Sequence, residues 1–496
     1  MLSISVLLPA LAAVVLGFGR RIPEAVARWT WLAVTVADLG LLIVVTVLAL
    51  PVRPGGLALE ERTASLPGVG ASYHLGVDGL SLPLLLLTGV LFLACAIWAI
   101  RDGARPRQQA ALFLFMQATC LGLFAAQDLL VFFVFFDLSI VAMYFSIAGW
   151  GHGDARRSAL TFFLYTFTGS LALLLGFIGL YLGSTPHTFD MVALSKAGAF
   201  TGTPIAAGFV LAAILIGLAI KTPTVPFHSW LPPAHTDAPS IGSTILAGVL
   251  LKMGTYGFLR IAMPMLPDTW RAFSGVILAV GIFSVLWGAL VAMAQTNVKR
   301  LIAYTSVNHM GYIVVAIGAA GLGSTSAAEA QRLAVTGAVV QMVSHVLITG
   351  ALFLLAGVLR DRRGTYEIAR FGGLAGVAPR YAALFAIAAF ASLGLPAFSG
   401  FIAEFQIFTG SIGVTWVAAL ALPGILITAA LLLLAYQRLF TGERSDTAVG
   451  FTDLRAHEIL AVAPLLALSL LIGLFPGPLL AVVQPASAYV VSTLGG

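Results

Sequence analysis

Apolar runs about as long as a bilayer is thick recur fourteen times along this chain, and no water-soluble fold accommodates that pattern. A helix rises 1.5 Å per residue, so about 20 apolar residues cross the roughly 30 Å hydrocarbon core. Charged or turn-forming breaks separate runs near 2–19, 29–51, 79–100, 109–126, 129–149, 158–183, 205–231, 240–262, 274–294, 302–322, 335–359, 381–412, 413–437 and 459–484. Only 9% of the 496 residues are charged and 60% are hydrophobic, whereas soluble domains run near 25% charged. The expected fold is an all-α polytopic membrane protein of about fourteen transmembrane helices.

Other classes are excluded by what the polar residues are and where they fall. Cys95 and Cys120 each stand alone in an apolar run, which suits neither an iron–sulfur cluster nor a disulfide framework. No glycine-rich turn follows a strand pattern, so no nucleotide fold is visible. The net charge of +6 rests on arginines in short loops, not on a basic stripe, and gives no argument for nucleic acid. No basic stretch precedes the first apolar run and no small-residue cleavage site follows it, so it reads as a retained span.

The basic residues test the span count. With connections numbered in chain order, the odd ones hold eighteen Lys and Arg residues, and the even ones together with both termini hold six. Basic loops stay cytoplasmic, so both termini are expected on the opposite side of a cell inner membrane. Of the 26 basic residues, the two outside this tally are Lys221 and Lys252, both inside apolar runs.

A charge at the bilayer centre costs at least about 2.5–3.5 kcal/mol on insertion scales, so a deep ionisable residue points to function. Asp137, in FFVFFDLSIVAMYF, lies nine positions into its span, Lys252 about as deep in ILAGVLLKMGTYGFL, Lys221 at the end of AAILIGLAI, and Glu404 in SGFIAEFQIF. His309 and His345 occupy two further spans. Each alone admits a plainer reading: a structural ion pair for the acid and lysine, hydrogen-bonded packing for each histidine. Asp38 and Asp128 read as interfacial or locally paired. Together the six residues form a candidate proton relay. An acid about 4 Å from Lys221, at an effective dielectric near 20, holds its proton by about 4 kcal/mol. Withdrawing the acid frees that proton for a neighbour such as Lys252.

Two of the runs are interrupted. Lys221 is followed by prolines 223, 226, 232 and 233, and Glu404 is preceded by Gly394, Pro396 and Gly400. Broken backbone at membrane depth is tolerated only where it lines a cavity or is buried in protein. The breaks fall in the seventh and twelfth spans. Spans four to eight and nine to thirteen then form two equivalent blocks, inverted because each holds an odd number of crossings. Paired broken helices in inverted repeats mark ion sites near the midplane. The expected divisions are 1–107 for the first three spans, 108–262 and 263–440 for the two repeats, and 441–496 for the last span.

The stretches KTPTVPFHSWLPPAHTDAPSIGSTILAGVLLKMGTYGFLR (221–260), LIAYTSVNHMGYIVV (301–315), VVQMVSHVLITGALFLLAGVLRDRRGT (339–365) and LGLPAFSGFIAEF (393–405) carry a resemblance. The chain is similar to the proton-translocating, antiporter-like subunits of respiratory complex I, from about Val77 to Phe440. That resemblance implies a fifth-span acid at Asp137, a broken-helix lysine at Lys221 that it controls, and a central relay lysine at Lys252. It also implies His309 and His345 on the path to the second half, and terminal exchange at Glu404. A glutamate at 404 resembles the M-type subunits of NADH:quinone oxidoreductase, where L and N types and Mrp subunits are expected to have lysine. The usual fifth-span glutamate is Asp137 here, shortening its reach by a C–C bond of about 1.5 Å. The resemblance implies no cofactor or metal in this chain. NADH, FMN, iron–sulfur clusters and quinone belong to partner subunits, and the implied partners are L- and N-type membrane-arm subunits, the peripheral redox arm, protons and lipid.

Alternative readings within the resemblance are an Mrp-type sodium/proton antiporter subunit, the membrane subunit of an energy-converting hydrogenase or formate hydrogenlyase, and a scaffold with a dead relay. His228, His235 and Asp237 cluster after the broken seventh span and read as proton uptake or local hydrogen bonding in preference to metal ligation. Phe132, Phe133, Phe135 and Phe136 read as packing or lipid-facing residues.

Overall fold

The computed structural model describes residues 1–66, 68, 70–101, 104–197, 200 and 204–495. Eighteen helices form among the described residues: α1 (Leu2–Phe18), α2 (Glu24–Ala49), α3 (Ser81–Ala99), α4 (Pro106–Ala125), α5 (Leu129–Trp150), α6 (Ala155–Gly183), α7 (Met191–Ala197), α8 (Pro204–Lys221), α9 (Leu231–Asp237), α10 (Ser240–Met265), α11 (Pro267–Met293), α12 (Val298–Leu322), α13 (Ala328–Arg363), α14 (Pro379–Ser392), α15 (Ser399–Val414), α16 (Leu422–Phe440), α17 (Ala456–Leu474) and α18 (Gly477–Thr493). Eleven helices are long and apolar enough to cross a bilayer, and Leu2–Phe18 and Ile205–Lys221 are shorter apolar helices. The fourteen runs therefore do not map onto fourteen full-length helices.

Both expected breaks are present: α8 stops at Lys221 before α9, and α14 and α15 are separated by residues 393–398. The run 459–484, expected as one span, is instead two helices parted at Phe475 and Pro476. Proline disfavours helical backbone in the residue before it, and Phe475 has φ −130° and ψ 69°.

A two-stranded antiparallel hairpin, β1 (Ala58–Leu66) and β2 (Ala71–Val77), occupies the long connection before α3. It is anchored to the ends of α5 and α7. Asp128 caps α5 by accepting from the Leu130 and Val131 N–H groups, and its other oxygen accepts from Ser72 N at 2.9 Å. His74, buried, bonds Asp190 through Nδ1 (2.8 Å) and Glu60 through Nε2 (2.9 Å). Burial pushes the Asp190 carboxyl up, but His74, the Ala193 N–H and Arg62 outweigh it and hold it below its ordinary value.

Burial divides the bundle into a wrapped centre and a rim. The apolar windows of α10, α12 and α13 are over nine-tenths buried, while those of α2, α5, α6 and α16 present most of their surface outward. Close approach in the centre is set by small residues. On the α11–α12 seam, a Cβ at Gly288 would lie 2.7 Å from Asn308 N, and one at Gly311 2.8 Å from Val285 N. Small residues at helix interfaces are how membrane helices gain packing without a hydrophobic drive between them. Arg362 of α13 pairs with Glu458 of α17 through both carboxylate oxygens (2.8 and 2.7 Å) and joins the last helices to the centre.

Gly311→Val is expected to force α11 and α12 apart, at a cost of about 1–3 kcal/mol. Thermal unfolding of the purified assembly should show a lowered midpoint, with Gly275→Val, which has nothing within 4 Å of its Cβ position, as the neutral control.

Candidate functional site

The first half of the site is built where α8 ends. Pro223 and Pro226 supply no N–H, so the last turn of α8 closes with other donors: Thr222 N to Leu218 O (2.8 Å), and the Trp230 indole to Ile220 O (3.0 Å). This leaves Lys221 on the final turn, 1% exposed. Its Nζ donates to Ser139 Oγ at 3.3 Å and lies 4.6 Å from the Phe136 ring centre, both on α5. Asp137 is on the same helix, half-buried, with Oδ1 enclosed and without a hydrogen-bond partner. Asp137 and Lys221 make no ion pair within 4 Å, and Ser139 holds the ammonium instead.

The second half is built on the enclosed helices. α10 is widened by two π-helical stretches, Leu246–Leu250 and Phe258–Ala262, with Lys252 between them; such bulges recur at functional sites. Lys252 is fully buried, and its Nζ donates to Ala247 O at 2.6 Å and meets His345 Nδ1 of α13 at 2.6 Å. An amine and an imidazole nitrogen at that separation share one proton position. The other nitrogen of His345, Nε2, is buried without a partner, as is Nδ1 of His309 on α12. The two rings stand nearly perpendicular, 5.5 Å apart.

Beyond them is a cavity of about 10 Å³, lined by His309, His345, Gln341, Ser344, Ser392 and Glu404 among others. That is about the room one water needs, and polar walls favour filling it. Glu404, 8% exposed, closes its far side. Gly394, in the broken segment, makes space for the carboxylate: its φ is +69°, and a Cβ there would lie 2.5 Å from Glu404 Oε2. Gly394 thus serves both the turn and the acid.

The structure gathers Lys252, His345, His309 and Glu404 into one row, and Asp137 and Lys221 into a second group. No hydrogen bond joins the two lysines. Ser139 lies between the groups, since it contacts Lys221 and also Met253 Sδ (3.4 Å), next to Lys252. Gly254 permits this approach: its Cβ would fall 2.3 Å from Thr222 Oγ1. Ser139, Gln341 and Ser392 are additions that sequence reading does not find, because a serine or glutamine in an apolar helix carries no signal of its own.

The remaining candidates disperse. Asp237 accepts from Ser158 (2.6 Å), His228 accepts from the Trp287 indole (3.2 Å), and His235 is stacked on Phe353 with both ring nitrogens unpartnered. Lys299, one of the eighteen basic residues counted in the odd connections, is fully buried and donates to Ala238 O. Asp38 is locally paired, accepting from Gln117 at 2.5 Å. Phe132 and Phe136 are buried, Phe133 and Phe135 partly so.

Comparison with known proteins bears on the whole chain. Residues 126–431 match the family described as NADH:quinone oxidoreductase/Mrp antiporter, TM. The chain is 39% identical over 424 residues to NADH-quinone oxidoreductase subunit M of Rickettsia prowazekii, covering 85% of this chain and 84% of the relative. It is 36% identical to the subunit M of Rhodobacter capsulatus, covering 99% and 96%. Among solved structures, a chain of respiratory complex I from Thermus thermophilus with bound NADH superposes with a TM-score of 0.89 at 33% identity over the full length of both chains. The Mrp complex from Dietzia shares the fold at 23% identity and a TM-score of 0.82. This chain belongs to the family of NADH:quinone oxidoreductase and Mrp antiporter membrane subunits.

Proposed function

We propose that the chain is the M-type proton-translocating membrane subunit of an NADH:quinone oxidoreductase. In this reading it is a translocase component without redox chemistry of its own. NADH, FMN, iron–sulfur clusters and quinone are handled by partner subunits, and L- and N-type membrane-arm subunits are its neighbours. The arginine-rich loops then face the cytoplasm, both termini face the opposite side of the inner membrane, and 108–262 and 263–440 act as the two inverted halves.

The observation that carries the reading is the 2.6 Å contact between Lys252 Nζ and His345 Nδ1, fully enclosed by protein. A buried amine against a buried imidazole has little structural merit, because neither neutralises the other. It has clear merit for moving a proton. In the proposed cycle Asp137 controls how firmly Lys221 keeps its proton, and Ser139 occupies the gap to the Lys252 segment. Lys252, His345 and His309 pass the proton along, and Glu404 takes it across the small cavity. The shorter Asp137 fits this reading, since Ser139 already holds the ammonium when the acid is not in contact.

Three outcomes are expected of the assembled complex in proteoliposomes, with NADH-driven proton uptake measured against NADH oxidised. Lys252→Ala should abolish proton movement through this subunit; uptake equal to the parent would overturn the relay. Asp137→Glu should retain pumping and Asp137→Asn should lose the share of it carried by this subunit; equal activity in both variants would contradict the switch. Gly394→Ala should strain the αL turn by about 1–2 kcal/mol and push the Glu404 carboxylate aside, reducing pumping while the complex still assembles.

A further inference from the structure

Lys252, Tyr256 and Arg260 are spaced four apart on α10, so one helix face runs from the proposed central lysine toward the hairpin end of the molecule. That end is open. A cavity of about 270 Å³ lined by Arg53, Val77 and Asp78, and a second of about 50 Å³ lined by Asp78, Gln127 and Tyr489, both reach the same point. Arg260 lines the second cavity, and the buried Tyr256, edge-on to Phe124 and stacked on Phe132, follows it toward Lys252.

Arg260 is held from two sides. Its Nη2 donates to Asp78 Oδ1 at 2.6 Å, its Nε donates to the Tyr256 hydroxyl at 2.9 Å, and that hydroxyl donates to Phe124 O at 3.2 Å. Asp78 is itself fixed at the start of α3 by the Leu80 and Ser81 N–H groups (3.0 and 3.1 Å). Burial pushes the Asp78 carboxyl up, but the Arg260 charge and these donors outweigh it and hold it below its ordinary value. The carboxylate therefore stays charged over the range in which such a complex works.

We propose that Arg260, anchored by Asp78 and Tyr256, is a fixed cation that seals the hairpin end of α10 and stops protons in the outer cavities from leaking back to Lys252. A guanidinium does not release its proton in a protein, so it cannot pass one on, and held against Asp78 and the Tyr256 hydroxyl it fills the end of this helix face with a group that does not relay. The seal is a positioning device for the proposed proton path. It rests on Lys252 carrying protons.

The test is passive proton leak into proteoliposomes of the complete complex without NADH, followed with an entrapped pH dye after an imposed pH step. Arg260→Gln is expected to raise the leak several-fold, and Arg260→Lys, which puts an amine able to give up its proton in place of the guanidinium, to raise it as well. Adding Lys252→Ala to Arg260→Gln is expected to return it to the parental rate. An assembled Arg260→Gln complex that leaks like the parent would overturn the seal. So would a raised leak that persists in the double variant. Where Arg260→Gln does not assemble, Asp78→Asn carries the test: it keeps the guanidinium but frees it, and must raise the leak for the seal to stand. The relay reading is judged separately, because Lys252→Ala alone reports on driven pumping and not on leak.

Discussion

A lysine ammonium at membrane depth has no water to turn to, so the neighbouring helices must supply its partners, and that requirement shapes the centre of this protein. Lys252 and Lys299 both donate to backbone carbonyls, and Lys221 to a hydroxyl. Helices ordinarily use their carbonyls internally. Freeing one takes a break, a bulge or a helix end, and that is what surrounds these residues: a π-helical stretch before Lys252, and the end of the short α9, where the capping Ala238 presents its carbonyl to Lys299. The irregular backbone and the buried charge are thus one feature seen from two sides. The same requirement explains why α10, α12 and α13 are the most enclosed helices.

The two halves of the proposed relay differ in how their charges are met. Around Lys221 an acid is near but not in contact, and the intervening partners are a serine and an aromatic face. Around Lys252 there is no acid in contact, only a carbonyl and an imidazole, and the carboxylate that balances the row is Glu404, beyond His309. Compensation at a distance is weaker than a contact pair, and for a carrier that is an advantage. A tight ion pair at Lys252 would hold the proton in place, while an imidazole within hydrogen-bond distance offers it somewhere to go.

How much of this was legible in the sequence depends on whether a residue contradicts its surroundings. Lysine, aspartate and histidine in apolar runs do, so Asp137, Lys221, Lys252, His309, His345 and Glu404 stand out, and the prolines beside 221 and the glycines beside 404 mark the breaks. Ser139, Gln341 and Ser392 do not contradict theirs, because uncharged hydroxyls and amides are ordinary in membrane helices, even where, as at Ser392 Oγ and Gln341 Oε1, the atom ends up buried without a partner. The burial of Lys299 was not legible for the opposite reason: beside Arg300 and before an apolar run it reads as a connection residue, and only the fold brings the Ala238 carbonyl to its ammonium. The hairpin escaped because its strands alternate weakly and lie between two strong helical signals, although the Leu-Pro-Gly-Val-Gly stretch at 66–70 is ordinary turn chemistry. The parting at Pro476 was hidden by an apolar run continuing on both sides.

The gap before Glu404 is where the row is least continuous, and its width is set by packing that cannot easily yield. On the seam between α13 and α15, a Cβ at Gly337 would lie 2.6 Å from Ile407 N, and one at Gly410 2.3 Å from Ala334 N. Backbone already meets backbone there, so the helices cannot move closer to shorten the path. They hold the cavity near the size of one water, about 10 Å³. In the proposed relay, control of the final step then falls to the side chains that line it, chiefly the His309 ring and the Glu404 carboxylate, whose room comes from Gly394. In this arrangement the rigid parts fix the distance and the titratable parts decide whether it is bridged.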